Sequence, residues 1–131
     1  MQEAGGDKRP LSTSNVTELA AANLGFDIPR SPEKRQQTLD VLQSVAHEVQ
    51  APRNLGTAAL ALAWVAAGRL DAYFNYTLSA WDMAAAALLL QESGGAIFDH
   101  QKRPWSWEIR EATNCVASNG HLHDMIFPHL T

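Results

Sequence analysis

The sequence predicts an α/β layered domain, a sheet covered by helices on both faces. Three observations lead there. Segments with helical apolar spacing alternate along the chain with short segments suited to strands. Two of the helical segments are apolar nearly all round, as helices packed on more than one side must be. Glycine, proline and serine punctuate the boundaries between segments.

Met1 to Pro10 is polar and glycine-bearing and reads as a loop or frayed end. Leu19–Gly25 holds small apolar residues and is taken as a strand, against the helical preference of its alanines. Ser31-Pro32-Glu33 is a helix start: serine caps free N–H groups, proline suits the first helical position, and glutamate suits the positive end of the dipole. Leu39, Leu42, Val45, Ala46 and Val49 then recur at helical spacing opposite Lys34, Gln37, Asp40 and Glu48, an amphipathic helix ending before Pro52.

Arg53-Asn54-Leu55 makes a short strand or extended turn. Gly56-Thr57 leads into a helix over Ala58–Ala67 that Gly68 stops. Leu70–Phe74 is a short strand. Ser79–Asp82 opens a helix running through Met83–Leu90 to Gly94-Gly95. Ala96–Phe98 and Asn114–Ala117 are strands joined by the loop Asp99–Glu111, in which Trp105 and Trp107 cover an edge of the core. His121–Leu130 is a final short helix.

The 131 residues have the length of one domain, and an apolar fraction of 46% with 18% charged residues is that of a globular chain. A net charge of −4 without any Lys/Arg cluster argues against a nucleic-acid partner. Cys115 is alone, so internal disulfides and cysteine zinc sites are excluded, and it reads as a buried, inert thiol. The start has no apolar core like that of a signal peptide, and the longest apolar runs are too short to span a bilayer. No membrane partner is expected, and the cytoplasm is the default location.

Two local patterns carry possible chemistry. Asp82 lies in a first helical turn, where a carboxylate can offer oxygen to a hard cation such as Mg²⁺. Ser79-x-x-Asp82 equally fits a capping pattern in which Asp82 only satisfies the backbone. Gly56-Thr57 before a helix lets a ligand approach exposed N–H groups, and is also simply a good cap. His121-x-His123 does not share a helix face and reads as surface histidine.

Four segments stand in a particular order: Gly56-Thr57-Ala58-Ala59; Val65-Ala66-Ala67-Gly68-Arg69-Leu70-Asp71-Ala72-Tyr73; Trp81-Asp82-Met83-Ala84-Ala85; and Glu92-Ser93-Gly94-Gly95. Together they resemble the second half of the inositol monophosphatase superfamily, with its G-[ST]-A-A turn, V-A-x-G-x-x-D-A-Y/F segment, W-D-x-A-A-G helix start and E-x-G-G helix end. The resemblance runs from about Pro10 to Asn119. It implies the C-terminal half of the inositol monophosphatase/sugar phosphatase fold. It further implies a Mg²⁺-dependent phosphomonoesterase acting on an inositol or sugar-type alcohol phosphate when complete. Asp82 would be a metal ligand, and Gly56, Thr57, Ala58 and Asn75 would hold the alcohol portion.

The chain also departs from that pattern. Asn75, seven residues before Asp82, stands where the family commonly has a carboxylate, and Ala86 stands where it has glycine. The family's further metal ligands, in an acidic segment and in D-P-x-D-G-T, have no counterpart here. The chain has no Asp-Gly pair at all. Each Mg²⁺ takes about six oxygen ligands, so the isolated chain is expected to be inactive. Its expected partner is an N-terminal half or a second copy. The alternative is a catalytically dead binding or oligomerisation module of the same family.

Overall fold

The structure, a computed structural model, describes residues 10–106 and 113–130. Residues 1–9 of the expected leading loop, and 107–111 of the loop after Asp99, lie outside the described residues. Five strands form one mixed sheet in the order β2-β1-β3-β5-β4. They are β1 (Asn23–Phe26), β2 (Ala51–Asn54), β3 (Ala72–Leu78), β4 (Ala96–Phe98) and β5 (Thr113–Ser118). β1 runs parallel to both β2 and β3, and β5 runs antiparallel to β3 and β4.

The helices are α1 (Pro32–Val45), α2 (Ala58–Ala66), α3 (Ala80–Ser93) and the short α4 (His123–Ile126), followed by a 3-10 turn over Phe127–His129. The chain leaves β1, forms α1 and returns beside it as β2. It then crosses back over β1 through α2 to become β3. Right-handed crossovers in opposite directions must use opposite faces of the sheet. Accordingly Val41 and Val45 of α1 pack with Leu24, Phe74 and Val116 on one face. Leu62 and Val65 of α2 and Met83 and Leu90 of α3 pack with Tyr73, Cys115 and Ala117 on the other. β3 is buried on both faces over Ala72–Tyr76, as a central strand between helix layers should be. The layered α/β expectation is borne out.

The caps fall where the sequence placed them. Ser31 and Ser79 are the N-caps of α1 and α3, and both side chains accept a backbone N–H. Gly94 ends α3 at φ +94°, a left-handed conformation that glycine adopts without a Cβ penalty.

Several expected bounds need correction: α1 ends at Val45 instead of continuing past Val49, the strand expected over Leu70–Phe74 is Ala72–Leu78, and the last α-helix is only His123–Ile126. Within Leu19–Gly25, residues Leu19–Ala21 form a 3-10 turn, and the strand is Asn23–Phe26. The Ala20-Ala21-Ala22 run follows its helical preference until pairing with β2 and β3 takes over at Asn23. β2 starts at Ala51 and contains Pro52, which an edge strand tolerates because one side of it lacks a ladder partner. The buried face of α1 is Thr38, Val41 and Val45, while Leu39 is 42% exposed and Ala46 is exposed. Thr38 can be buried because its hydroxyl donates to the Lys34 carbonyl at 2.9 Å.

α2 and α3 bury more apolar side chains than α1, as expected, but neither is enclosed. Their outer surface leaves Leu60 41%, Trp81 77% and Leu88 52% exposed.

Candidate functional site

A cleft of about 640 Å³ opens at the C-terminal ends of the three parallel strands. Asp27 to Ser31, between β1 and α1, form one wall. Asn54, Gly56 and Ala58, from the end of β2 to the start of α2, form the second, and the end of β3 and start of α3 contribute Asn75, Thr77, Leu78, Ser79 and Asp82. The loop after β1 turns to one face of the sheet, while those after β2 and β3 turn to the other. Open α/β sheets bind ligands where connections diverge in this way.

Each wall ends at a helix N-terminus: Ser31, Thr57 and Ser79 are the N-caps of α1, α2 and α3. Three positive dipole ends therefore converge on the cleft, and Arg30 lines it. The termini are not equivalent. Those of α1 and α3 are capped by serine, whereas the Thr57 side chain makes no capping bond. The first-turn N–H groups of α2 thus have no helical acceptor and suit an oxygen ligand.

Of the residues picked out from sequence, Gly56, Ala58, Asn75 and Asp82 line this one cleft, and Thr57 lies between two of them in the chain. Gly56 sits at φ +74°, and its N–H donates to Asp27 Oδ1 at 2.9 Å. That N–H is consequently not offered to a ligand, contrary to the simple reading of the turn. Asp82 is exposed in the first turn of α3. Ser79 Oγ donates to its Oδ2 at 2.5 Å, and Ser79 accepts the Asp82 backbone N–H at 3.4 Å. Capping and an open carboxylate coexist here, because Oδ1 has no protein partner among the described residues.

Asp27 was not singled out from sequence. Asp27 Oδ2 accepts from the Tyr73 hydroxyl at 2.5 Å, and Tyr73 accepts from Asn75 Nδ2 at 2.8 Å. Burial, reinforced by the Asp27 contact, pushes the Tyr73 phenol well above its ordinary range. The only local signal was a carboxylate directly after a strand and before Ile28-Pro29, which reads as an ordinary turn.

Other candidates lie elsewhere. Asp71 accepts from Ser14 Oγ at 2.6 Å and from the Asn23 N–H at 2.7 Å, and so ties the N-terminal strap to the far end of β3. His121 and His123 are also at that far end, since Ser118 pairs with Ala72 where β3 begins. His123 Nδ1 is bonded to Ser118 Oγ at 2.9 Å. Cys115 is fully buried, and burial pushes its thiol up to about 12, so it is inert as expected.

The cleft does not by itself fit a Mg²⁺ ion. Its two carboxylates are Asp27, with both oxygens engaged, and Asp82, with one open oxygen. No group of three or more His, Cys, Asp or Glu able to hold a metal occurs among the described residues.

A family model described as the inositol monophosphatase family matches residues 2–131. The chain belongs to the inositol monophosphatase family. An inositol-1-monophosphatase of Caulobacter vibrioides is 40% identical over 127 residues, covering 96% of this chain and 48% of that protein. A Nus factor SuhB of Pseudomonas aeruginosa is 38% identical, covering 93% and 46%. The crystal structure of the extragenic suppressor protein suhB from Bartonella henselae superposes with a TM-score of 0.83 at 34% identity, covering 95% of this chain and 47% of that one. The chain thus spans about half the length of the relatives it matches, and corresponds to their C-terminal part. No helix among the described residues is long and apolar enough to cross a membrane.

Proposed function

We propose that this chain is the alcohol-binding portion of a Mg²⁺-dependent phosphomonoesterase, acting on an inositol or sugar-type alcohol phosphate once its ligand set is completed. The observation that carries this reading is the convergence of three helix N-termini, the open first turn of α2, Asn75 and the Asp82 carboxylate on one cleft. Such a cleft suits an oxygen-rich anionic ligand. Thr57, Ala58 and Asn75 would hold the alcohol, and Gly56 would shape the turn beneath it. Asp82 Oδ1 would provide one metal ligand, with the others coming from a second polypeptide.

The bare outer surface of α2 and α3 supports such a partner. Leu60 of α2 and Trp81 and Leu88 of α3 are exposed, with Asp82, Gln91 and Glu92 the exposed polar residues of α3, and large apolar side chains left bare in this way suit a partner site. The preferred occupant is a polypeptide equivalent to the remaining half of the relatives, because Trp81 adjoins Asp82 and would bring partner ligands beside it. A second copy of the chain is the other occupant, and it fits a binding or oligomerisation module without catalysis.

Reconstitution tests the choice. The chain is mixed with a separately produced polypeptide corresponding to the N-terminal half of an inositol-1-monophosphatase relative, and phosphate release from inositol 1-phosphate is followed with Mg²⁺. Release that requires both polypeptides supports the split-site reading. A stable complex without release favours the module.

A further inference from the structure

Asn119-Gly120 is the one Asn-Gly pair in the chain, and every other asparagine precedes Val, Leu, Tyr or Cys. The pair is a chemical weak point, because asparagine is thermolabile and glycine leaves the nitrogen that follows it unhindered. The Gly120 backbone nitrogen gives its proton to solvent base and attacks Asn119 Cγ. A Cγ–N bond forms, the Cγ–Nδ2 bond breaks, and Nδ2 takes up a proton and leaves as ammonia. Water then opens the resulting succinimide at either carbonyl, giving aspartate or isoaspartate. One water is consumed and one ammonia released, with no change of oxidation state.

The fold holds each reacting group away from that path. Asn119 directly follows β5 and is only 1% exposed. Its Nδ2 donates to the Val16 carbonyl at 2.7 Å, and its Oδ1 accepts the His121 backbone N–H at 3.0 Å. The second Nδ2 hydrogen goes to Ser14 Oγ at 3.0 Å, while Ser14 gives its own proton to Asp71 Oδ1 at 2.6 Å. The attacking nitrogen is engaged too, since the Gly120 N–H donates to Ser118 Oγ at 3.0 Å. Ser14 and Val16 both belong to the N-terminal strap, whose residues 10–17 form no helix or strand. The Thr13 N–H, bonded to the Ser93 carbonyl at 3.0 Å, is a further tie. A segment held mainly by such bonds can open locally while the rest of the domain stays folded.

We propose that Asn119 is a spontaneous deamidation site gated by the N-terminal strap, protected while the strap is docked and modified when it opens. The product locks the change in. A carboxylate at position 119 has no hydrogen for the Val16 carbonyl or for Ser14 Oγ. It also lies beside Asp71, so that the single Ser14 proton stands between two carboxylates. Isoaspartate lengthens the backbone by a methylene as well, at a turn where Gly120 sits at φ +95°. The strap therefore cannot dock again as before. This site is at the end of the sheet away from the cleft and is independent of the ligand the cleft takes.

The test ages the purified chain at mildly alkaline pH and follows Asn119 by peptide mapping, with chromatographic separation of the aspartate and isoaspartate products. The folded chain should react at least about tenfold more slowly than the same chain unfolded in urea. Ser14→Ala strands one Nδ2 hydrogen and should speed the folded reaction by roughly threefold to tenfold. Urea below the unfolding transition should leave the folded rate nearly flat, because opening the strap exposes little surface. A second measurement needs no variant: the deamidated chain, separated from the parent, should exchange its Thr13 amide hydrogen faster while the β1 amides stay protected. Equal rates in folded and unfolded chain, a rate that climbs with urea in step with global unfolding, or Ser14→Ala reacting no faster than the parent overturns the gating. Unchanged Thr13 exchange after deamidation overturns the release of the strap, and no product at Asn119 in the unfolded chain removes the site itself.

Discussion

Asp27 and Gly56, far apart in sequence, are joined by a 2.9 Å hydrogen bond that fastens the end of β1 to the turn opening α2. The same carboxylate takes the proton of the buried Tyr73 hydroxyl. Asp27→Ala should therefore leave the buried Tyr73 hydroxyl without its acceptor, while water can replace the carboxylate at exposed Gly56, and cost about 1.5–3 kcal/mol, the range for bonds to a charged group. Asp27→Asn, which retains one acceptor oxygen, should cost less. Urea unfolding of the two variants gives the comparison.

Two glycines separate conformational strain from steric exclusion. A Cβ on Gly56 would meet nothing within 4 Å, but the residue sits at φ +74°. Gly56→Ala should cost about 1–2 kcal/mol from the left-handed backbone alone. A Cβ on Gly95 would lie 2.7 Å from the Ser118 carbonyl oxygen, part of the β5 backbone that cannot easily yield. Gly95→Ala should be the more damaging of the pair in thermal unfolding, although its φ is not left-handed.

His100 makes the fold sensitive to acid. Its ring packs edge-on to Tyr76 at 4.4 Å, and burial lowers its pKa from 6.5 to about 4. Between those values the unfolded chain binds the proton and the folded one does not. Stability contributed by neutral His100 is thus complete above about pH 6.5 and is lost as the pH falls toward 4, by up to about 3 kcal/mol. His100→Gln should unfold with a flatter pH dependence than the parent across that window. Parallel curves for the two proteins would show that His100 is not the group responsible.

The outer surface of α2 and α3 should drive association. Trp81→Ser with Leu88→Gln replaces side chains that are 77% and 52% exposed, so the monomer should keep its unfolding free energy within about 0.5 kcal/mol. Sedimentation velocity should show the parent chain associating as concentration rises and the double variant remaining monomeric.

Much of this architecture was legible because it is written locally. Ser31-Pro32, Ser79 to Asp82, Gly68 and Gly94 set helix ends through short-range capping chemistry, and each end lies where that chemistry puts it. The phase of α1 was misread because hydropathy counts Thr38 as polar, whereas its hydroxyl finds a carbonyl within its own helix. Asp27 was invisible for a different reason. Its partners Gly56 and Tyr73 come from β2's exit and from β3, and only the place of β1 between those two strands makes all three neighbours. Sequence spacing contains no trace of that order. The motif residues Gly56, Ala58, Asn75 and Asp82 were found, but not that the Gly56 N–H is already spoken for.

The central claim is that this chain holds half of a catalytic site, with Asp82 as its single open carboxylate in the cleft. Preorganised charge governs phosphoryl transfer to water, and losing one stabilising interaction already costs on the order of 10²–10³ in rate. The most direct measurement is phosphate release from inositol 1-phosphate by the purified chain alone in Mg²⁺, beside the Asp82→Asn variant. The account predicts that both proteins stay at the uncatalysed background. Turnover by the chain that vanishes in Asp82→Asn would contradict it, and would require a complete metal site built by this chain or between its copies.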